Sequence, residues 1–302
     1  MKSYLKSLQL GFTSLLMIML FASCQQDEAI TLSDTQSVDE RTTTTTAYPN
    51  VTFYGLGTAN ELYTYRSSPA TFVSVTPITG LREGERILAM DIRPANRVLY
   101  GVSNFNLIYT INTSGVGTGP VGTATRISQA PFSPAIEGTT VAFDFNPMND
   151  RIYLITDKGQ NLRISPVTGQ VISSDASLST GGAYVAINSA AFSNNFAGTS
   201  GTALYDIDIL QNKLYRQSTS GNSLTLIGST GLTITGEGGF DISRSGAAFA
   251  VLNAYGRPVV SSTPTSSEDG TQPAYRLYGI NLRTGAATNL GKTHPMIGIA
   301  IL

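Results

Sequence analysis

Carboxylates are the residues of this chain best suited to chemistry. Asp91, Asp144 and Asp241 recur at one position of a repeated pattern, and Asp157 and Glu237 fall within the same repeats. Two converging carboxyl groups suffice for glycoside hydrolysis, one as acid and the other as base or nucleophile. A carboxylate-dependent polysaccharide hydrolase or lyase is therefore one expectation. The other is structural. An aspartate at a strand end, ahead of a Pro- or Asn-containing turn, accepts backbone N–H bonds and fixes the turn. Repetition of Asp91, Asp144 and Asp241 at one position favours this second role, and Asp206 and Asp208 read likewise as turn or strand-face residues.

Other chemistries find little support. His294 is the sole histidine, so a Ser-His-Asp relay has to use it, and no GxSxG turn accompanies it. The chain has one cysteine, Cys24, which leaves the body of the protein without the ligands of a typical zinc site. No EF-hand spacing is present, and no metal or cofactor is expected. GTGP at 117–120 and GEGG at 236–239 read as turn material, and neither opens a helix that could cradle phosphate.

A polar cluster, Arg151, Asp157, Lys158, Gln160, Asn161 and Arg163, is the best candidate for binding. Gln160 and Arg163 offer donors suited to a carboxylate, a phosphate or a sugar hydroxyl. Alternation in Asn161-Leu162-Arg163-Ile164 turns Arg163 away from the apolar side. An interblade ion pair with Asp144 or Asp157 is the preferred reading of that arginine.

The elements that position these residues are strands. From Val51 onward, short runs of Tyr, Ile, Val, Leu and Phe alternate with Gly, Asn, Asp, Pro, Ser and Thr clusters, and no long stretch keeps a helical period. The segment MDIRPANRVLYGVSNFNLIYTINTSG at 90–115 parallels FDFNPMNDRIYLITDKGQNLRISPVTG at 143–169. A third copy starts at Phe240 and ends, after an insertion at 261–273, in YRLYGINLRTGAATNLG. Asp91 and Asp144 are 53 residues apart and Asp144 and Asp241 are 97 apart, so a degenerate repeat lies between, centred on LYDIDILQNKLYRQ. Repeats of this length, each reading as four strands, predict an all-β propeller.

The ends of the pattern sharpen this. Thr52-Phe53-Tyr54-Gly55-Leu56 matches the second strand of a blade with no first strand before it, and 296–302 is strand-like with no blade after it. If the last strand completes the first blade, five blades result. Six are the runner-up, because register between Gly181 and Gly221 is ambiguous.

Residues 1–23, with Lys2 and Lys6 ahead of an apolar run, have the layout of a secretory signal peptide. Leu20-Phe21-Ala22-Ser23-Cys24 resembles a bacterial lipobox, which makes Cys24 the expected lipidation site and membrane lipid an expected partner. Residues 24–50 read as a lipidated cysteine followed by a flexible tether, and 51–302 as the propeller. Without Lys2 and Lys6 the net charge of −1 becomes −3, which argues against a nucleic-acid partner. Asp27-Glu28 beside Cys24 resembles the export signal of some surface lipoproteins.

The stretches FYGLGTANELYTY, ITGLREGERILAMDIRPANRVLYG, FSPAIEGTTVAFDFNPMNDRIYLITDKGQNLRISPVTG, AAFSNNFAG, ALYDIDILQNKLY and LYGINLRTGAATNLG together resemble a bacterial family known as domain of unknown function 4394. That resemblance implies a secreted or surface protein with a propeller-like fold and supplies no activity, cofactor or catalytic residue. The expectation is a non-enzymatic cell-envelope lipoprotein, anchored at the outer membrane. It would act as a scaffold or recognition module for a glycan, a peptide or an envelope protein.

Overall fold

Runs of β-branched and aromatic residues, closed by Asn, Asp, Gly and Pro, favour a pleated and packed surface joined by tight turns. The computed structural model describes residues 47–117, 119–181, 184–218, 222–255 and 272–302, and these contain strands and turns but no helix. The strands form five four-stranded antiparallel sheets.

From the innermost strand outward, the first sheet is β20 (Met296–Ile301), β1 (Thr52–Gly57), β2 (Glu61–Ser67) and β3 (Ala70–Pro77). The second is β4 (Ile87–Ile92), β5 (Leu99–Ser103), β6 (Ile108–Ile111) and β7 (Ala124–Arg126). The third is β8 (Val141–Asn146), β9 (Arg151–Thr156), β10 (Asn161–Ile164) and β11 (Val171–Asp175). The fourth is β12 (Ile187–Phe192), β13 (Leu204–Asp208), β14 (Lys213–Gln217) and β15 (Leu224–Ser229). The fifth is β16 (Thr233–Ile242), β17 (Ala248–Tyr255), β18 (Ala274–Ile280) and β19 (Ala287–Lys292). The innermost strands touch in cyclic order, β20 to β4, β8, β12, β16 and back to β20. The protein is a five-bladed β-propeller.

Closure is made by the last strand, as the incomplete first repeat predicted. β20 pairs antiparallel with β1, Phe53 opposite Ile301 and Gly55 opposite Ile299. Gly55 makes room for Met296 there, since a β-carbon would sit 1.8 Å from its sulfur and displace that side chain.

Each blade is buried on both faces, and the alternation of side chains feeds two different cores. Ile152 and Leu154 of β9 pack toward the second blade with Tyr100, Val102 and Phe145. Tyr153 and Ile155 of the same strand pack toward the fourth with Ile187, Phe192 and Leu204. Such clusters fill every gap around the ring, including the seam between the fifth and first blades, where Phe53, Phe249, Leu277 and Met296 meet. The hydrophobic effect thus acts between blades, which is why no blade is a stable unit alone.

The ambiguous stretch between Gly181 and Gly221 contains three strands of one blade, so the count is the preferred five and the six-bladed alternative falls away. Other details depart from the sequence reading. GEGG at 236–239 is not a turn; it lies inside β16, at a register shift between Ile234 and Gly238. The axis is so crowded there that a β-carbon on Gly239 would come within 2.4 Å of the Ile299 nitrogen. The folded body also begins before Val51, since the half-buried Tyr48 ring packs 5.6 Å from that of Phe249. The expected signal peptide, Cys24, the tether up to residue 46 and most of the insertion at 261–273 lie outside the described residues.

Candidate functional site

The repeated aspartates end up at the propeller axis. Asp91, Asp144 and Asp241 occupy equivalent places near the ends of β4, β8 and β16, each opposite an aromatic residue of the next strand: Tyr100, Tyr153 and Phe249. Ala191 of β12 and Ala300 of β20 hold the same place in the other two blades, opposite Tyr205 and Tyr54.

The carboxylates bond between blades rather than to their own turns, which corrects the turn-fixing role expected of them. Asp91 Oδ2 accepts the amide of Phe145 in the next blade at 2.9 Å, and its Oδ1 accepts that of Ile92 at 2.6 Å. Asp144 Oδ1 accepts the Phe192 amide at 3.1 Å. Asp241 accepts the amides of Ile242 and Ile301, both at 2.6 Å. These amides are the equivalent donors of all five innermost strands. Where alanine replaces aspartate, the amide one blade further on is taken by that blade's own acid, Asp241 after Ala191 and Asp91 after Ala300. The turns are fixed by other residues. Asn146 accepts the Met148 and Asn149 amides, and Asp208 accepts those of Leu210 and Gln211.

Oxygens of the three acids lie within 4.8 Å of one another, and each residue is at most 2% exposed. Loss of hydration disfavours their charged forms, and repulsion among them adds to this for Asp144 and Asp241. Asp91 is pushed up to about 7, against the pull of its two amides and of Arg97. Asp144 and Asp241 stand well above the usual carboxylate range. Near neutral pH the trio therefore holds protons rather than three charges. The tunnel along the axis is lined by Ala89, Phe143, Ser189, Gly239 and Ile297 and has only about 10 Å³ of free space, about one water.

At the end of the axis next to the acids the space widens to a basin of about 340 Å³. Arg97, Asn195, Phe196, Arg244, Ile301 and the terminal Leu302 are among its lining residues. The Arg244 guanidinium lies 5.5 Å from the centre of the Phe196 ring. Asn195 is 5% exposed and its Oδ1 has no hydrogen-bond partner. Arg97 adopts a left-handed backbone, φ 60°, in the turn after β4. The earlier reading of the sequence missed this basin. Its signal was present: an arginine follows each repeated aspartate in the turn or at the start of the next strand, Arg97 after Asp91, Arg151 after Asp144 and Arg244 after Asp241.

The profile of a family described as Domain of unknown function (DUF4394) matches residues 61–300. The chain belongs to this family. No curated protein matches it. Among solved structures it is similar to a structural-genomics protein of unknown function from Bacteroides thetaiotaomicron VPI-5482. That similarity has 14% identity and a TM-score of 0.44, and it covers 81% of this chain and 58% of the other.

In this DUF4394 propeller the polar cluster read from the sequence is divided rather than gathered. Arg151 is exposed at the start of β9, while Asp157 follows the other end of that strand. Asp157 accepts the Thr139 amide and hydroxyl at 2.8 and 2.9 Å. Gln160 is buried between the Glu137 amide and the Ala135 carbonyl. Arg163 pairs with neither Asp144 nor Asp157, which corrects that expectation. Its guanidinium bonds to Asp175 and Asn161, both at 2.5 Å, and lies 3.5 Å from the centre of the Tyr153 ring. Alternation does turn Arg163 away from Leu162 and Ile164, but the neighbouring blade covers that side too. Asp206, which lowers its own charge cost through Arg163, is fully buried with both oxygens unpartnered and is pushed well above the usual range by burial. His294 is held by aromatic rings, its Nδ1 2.5 Å from Tyr65 Oη and its ring stacked on Tyr63 at 4.8 Å.

Proposed function

We propose that the protein is a non-enzymatic lipoprotein of the bacterial cell envelope. Acyl chains on Cys24 hold it to the outer membrane, and its propeller is a rigid scaffold or recognition module for a glycan, a peptide or an envelope protein. The observation that supports this reading is the use of the repeated acids. Asp91, Asp144 and Asp241 are the strongest catalytic candidates in the sequence, and each accepts a backbone amide from the next blade around the ring. Their tunnel has no room for a sugar ring. A glycosidase instead needs two carboxyls standing apart across an open cleft. Binding residues on a rigid scaffold are carried by its loops, and here the roomy spaces lie among the turns.

The experiment is a paired binding and turnover screen of the purified protein against envelope polysaccharides, peptidoglycan fragments and envelope proteins. Saturable binding without product supports the proposal and names the ligand class. Product formation abolished by Asp144→Asn, with melting unchanged, would overturn it. Acylation is checked by mass spectrometry of the N-terminal peptide from membranes, with Cys24→Ala as the control.

A further inference from the structure

Strand order decides which charged residues share an end of the propeller. The turns after the innermost strands, such as 93–98, 147–150 and 243–247, lie at the same end as those after the third strands, such as 112–123, 165–170 and 281–286. Exposed arginines gather at this end: Arg66, Arg97, Arg151, Arg216, Arg244 and Arg283. Among the described residues its surface carboxylates are Asp150, already paired with Arg93, and the terminal carboxylate of Leu302 at the rim of the basin. The opposite end mixes Glu61, Glu83, Glu137, Asp157 and Glu237 with Arg82, Arg86, Arg126, Lys158 and Lys292. Net positive charge thus sits at the first end, and the second is near balance.

Two further features belong to the first end. Where the other end exposes Leu210 at 59% and Tyr184 at 53%, this one projects Val116, Met148 and Val167 from its turns with 79%, 54% and 72% of their surface exposed. The chain also enters the domain there, because Ser67 Oγ accepts the Val51 amide and donates to the Pro49 carbonyl, both at 2.9 Å. The described chain thus begins at the arginine-bearing end.

We propose that this end rests on an anionic phospholipid surface, with the arginines against headgroup phosphates and Val116, Met148 and Val167 entering the interfacial layer. Arginine binds phosphate through a planar fork of donors, and basic residues near an anionic surface add to one another's attraction. The basin between Arg97 and Arg244 is a seat for one headgroup. A soluble acidic glycan would also meet the arginines, but it gives no reason for apolar turn tips. The proposal deepens the envelope reading and rests on it for its setting. It assigns the opposite end, with the loop shaped by Asp157 and Gln160, to outward partners.

The test uses the chain from residue 24 onward with Cys24→Ser, which carries no acyl chain and keeps every described contact. Co-sedimentation is measured with mixed phosphatidylglycerol–phosphatidylethanolamine vesicles and with neutral phosphatidylcholine vesicles. Binding to the anionic vesicles alone, weakened by salt, is expected. Arg97→Gln, Arg151→Gln and Arg244→Gln should each lower the partition coefficient about fivefold, and Val167→Ser should lower it as well. Glu83→Gln and Glu137→Gln, at the other end, should change little. Equal binding to both vesicles, no binding, or indifference to the arginine changes with melting preserved overturns the proposal. Capture of a soluble acidic polysaccharide in place of vesicles overturns it too. Absence of an acyl chain on Cys24 in cells would instead remove the envelope reading and leave this result standing.

Discussion

Asp144 of β8 accepts the backbone amide of Phe192 in β12, and the bond crosses from one blade to the next. Neither residue belongs to a turn, and the contact is 48 positions long in sequence. It shows how a ring of separate sheets is pinned at its centre by polar bonds that hydrophobic burial alone would not orient.

Asp144→Ala leaves the Phe192 amide buried and unpartnered, at a cost of about 1–3 kcal/mol. Asp144→Asn keeps an oxygen acceptor and cannot ionise, so it should match the parent protein at neutral pH and exceed it at higher pH. Asp91→Ala strips two amides, those of Ile92 and Phe145, and should be the worse of the alanine variants. Urea unfolding at neutral pH compares the three.

Acidity should stabilise the fold. The folded-state pKa of Asp91 is about 7 against 3.8 for the free side chain, and Asp144, Asp206 and Asp241 are also raised. The folded chain therefore holds protons that the unfolded chain releases. This contribution is complete below the unfolded value and is lost as pH rises through the folded one. Thermal melts should give the highest Tm on the acid side of neutrality, falling toward about pH 8. Asp144→Asn should flatten the decline. A Tm that climbs steadily toward alkaline pH would contradict the protonated trio.

Tyr48 and Gly279 should be coupled. A β-carbon on Gly279 would sit 2.1 Å from the Tyr48 ring, so Gly279→Ala overpacks the seam between the fifth and first blades. The expected cost is roughly 1–3 kcal/mol. Removing the ring with Tyr48→Ala should relieve most of it, and a double-mutant cycle reads the coupling directly.

Arg163→Lys should fail to replace the arginine. The guanidinium bonds to Asn161, to the Leu162 carbonyl and to Asp175 while covering the Tyr153 ring. An ammonium cannot reproduce that planar fork. A loss of roughly 3–5 kcal/mol on full removal, as in Arg163→Ala, follows from leaving buried partners without their cation. Denaturant midpoints of the two variants are the measure.

Much of the architecture was legible because repetition is a strong signal. The Asp-to-Tyr spacing of nine at Asp91 and Asp144 appears in the fold as a residue pair facing across two strands. The missing first strand announced β20 as the closure. The roles of the polar residues were less legible, since a strand pattern says which way a side chain points but not what covers it. Arg163 was turned correctly, yet its acid is Asp175 of its own blade rather than Asp144 or Asp157. The acids were assigned to local turns because their true partners, 48 to 60 residues away, cannot be seen from neighbouring positions. GEGG misled for a related reason, since glycine serves crowding at the axis as well as turning.

The pairing of β20 with β1 sets an order of events during biogenesis. Residues 52–57 are among the first of the domain to leave the ribosome or a secretion channel, yet their inner partner, 296–301, is among the last. Until it arrives, β1 carries a bare edge and the interfaces on either side of the first blade are unfinished. Through that interval the unpaired edge is open to pairing with another strand, so synthesis leaves the first blade the part of the ring most exposed to misassembly.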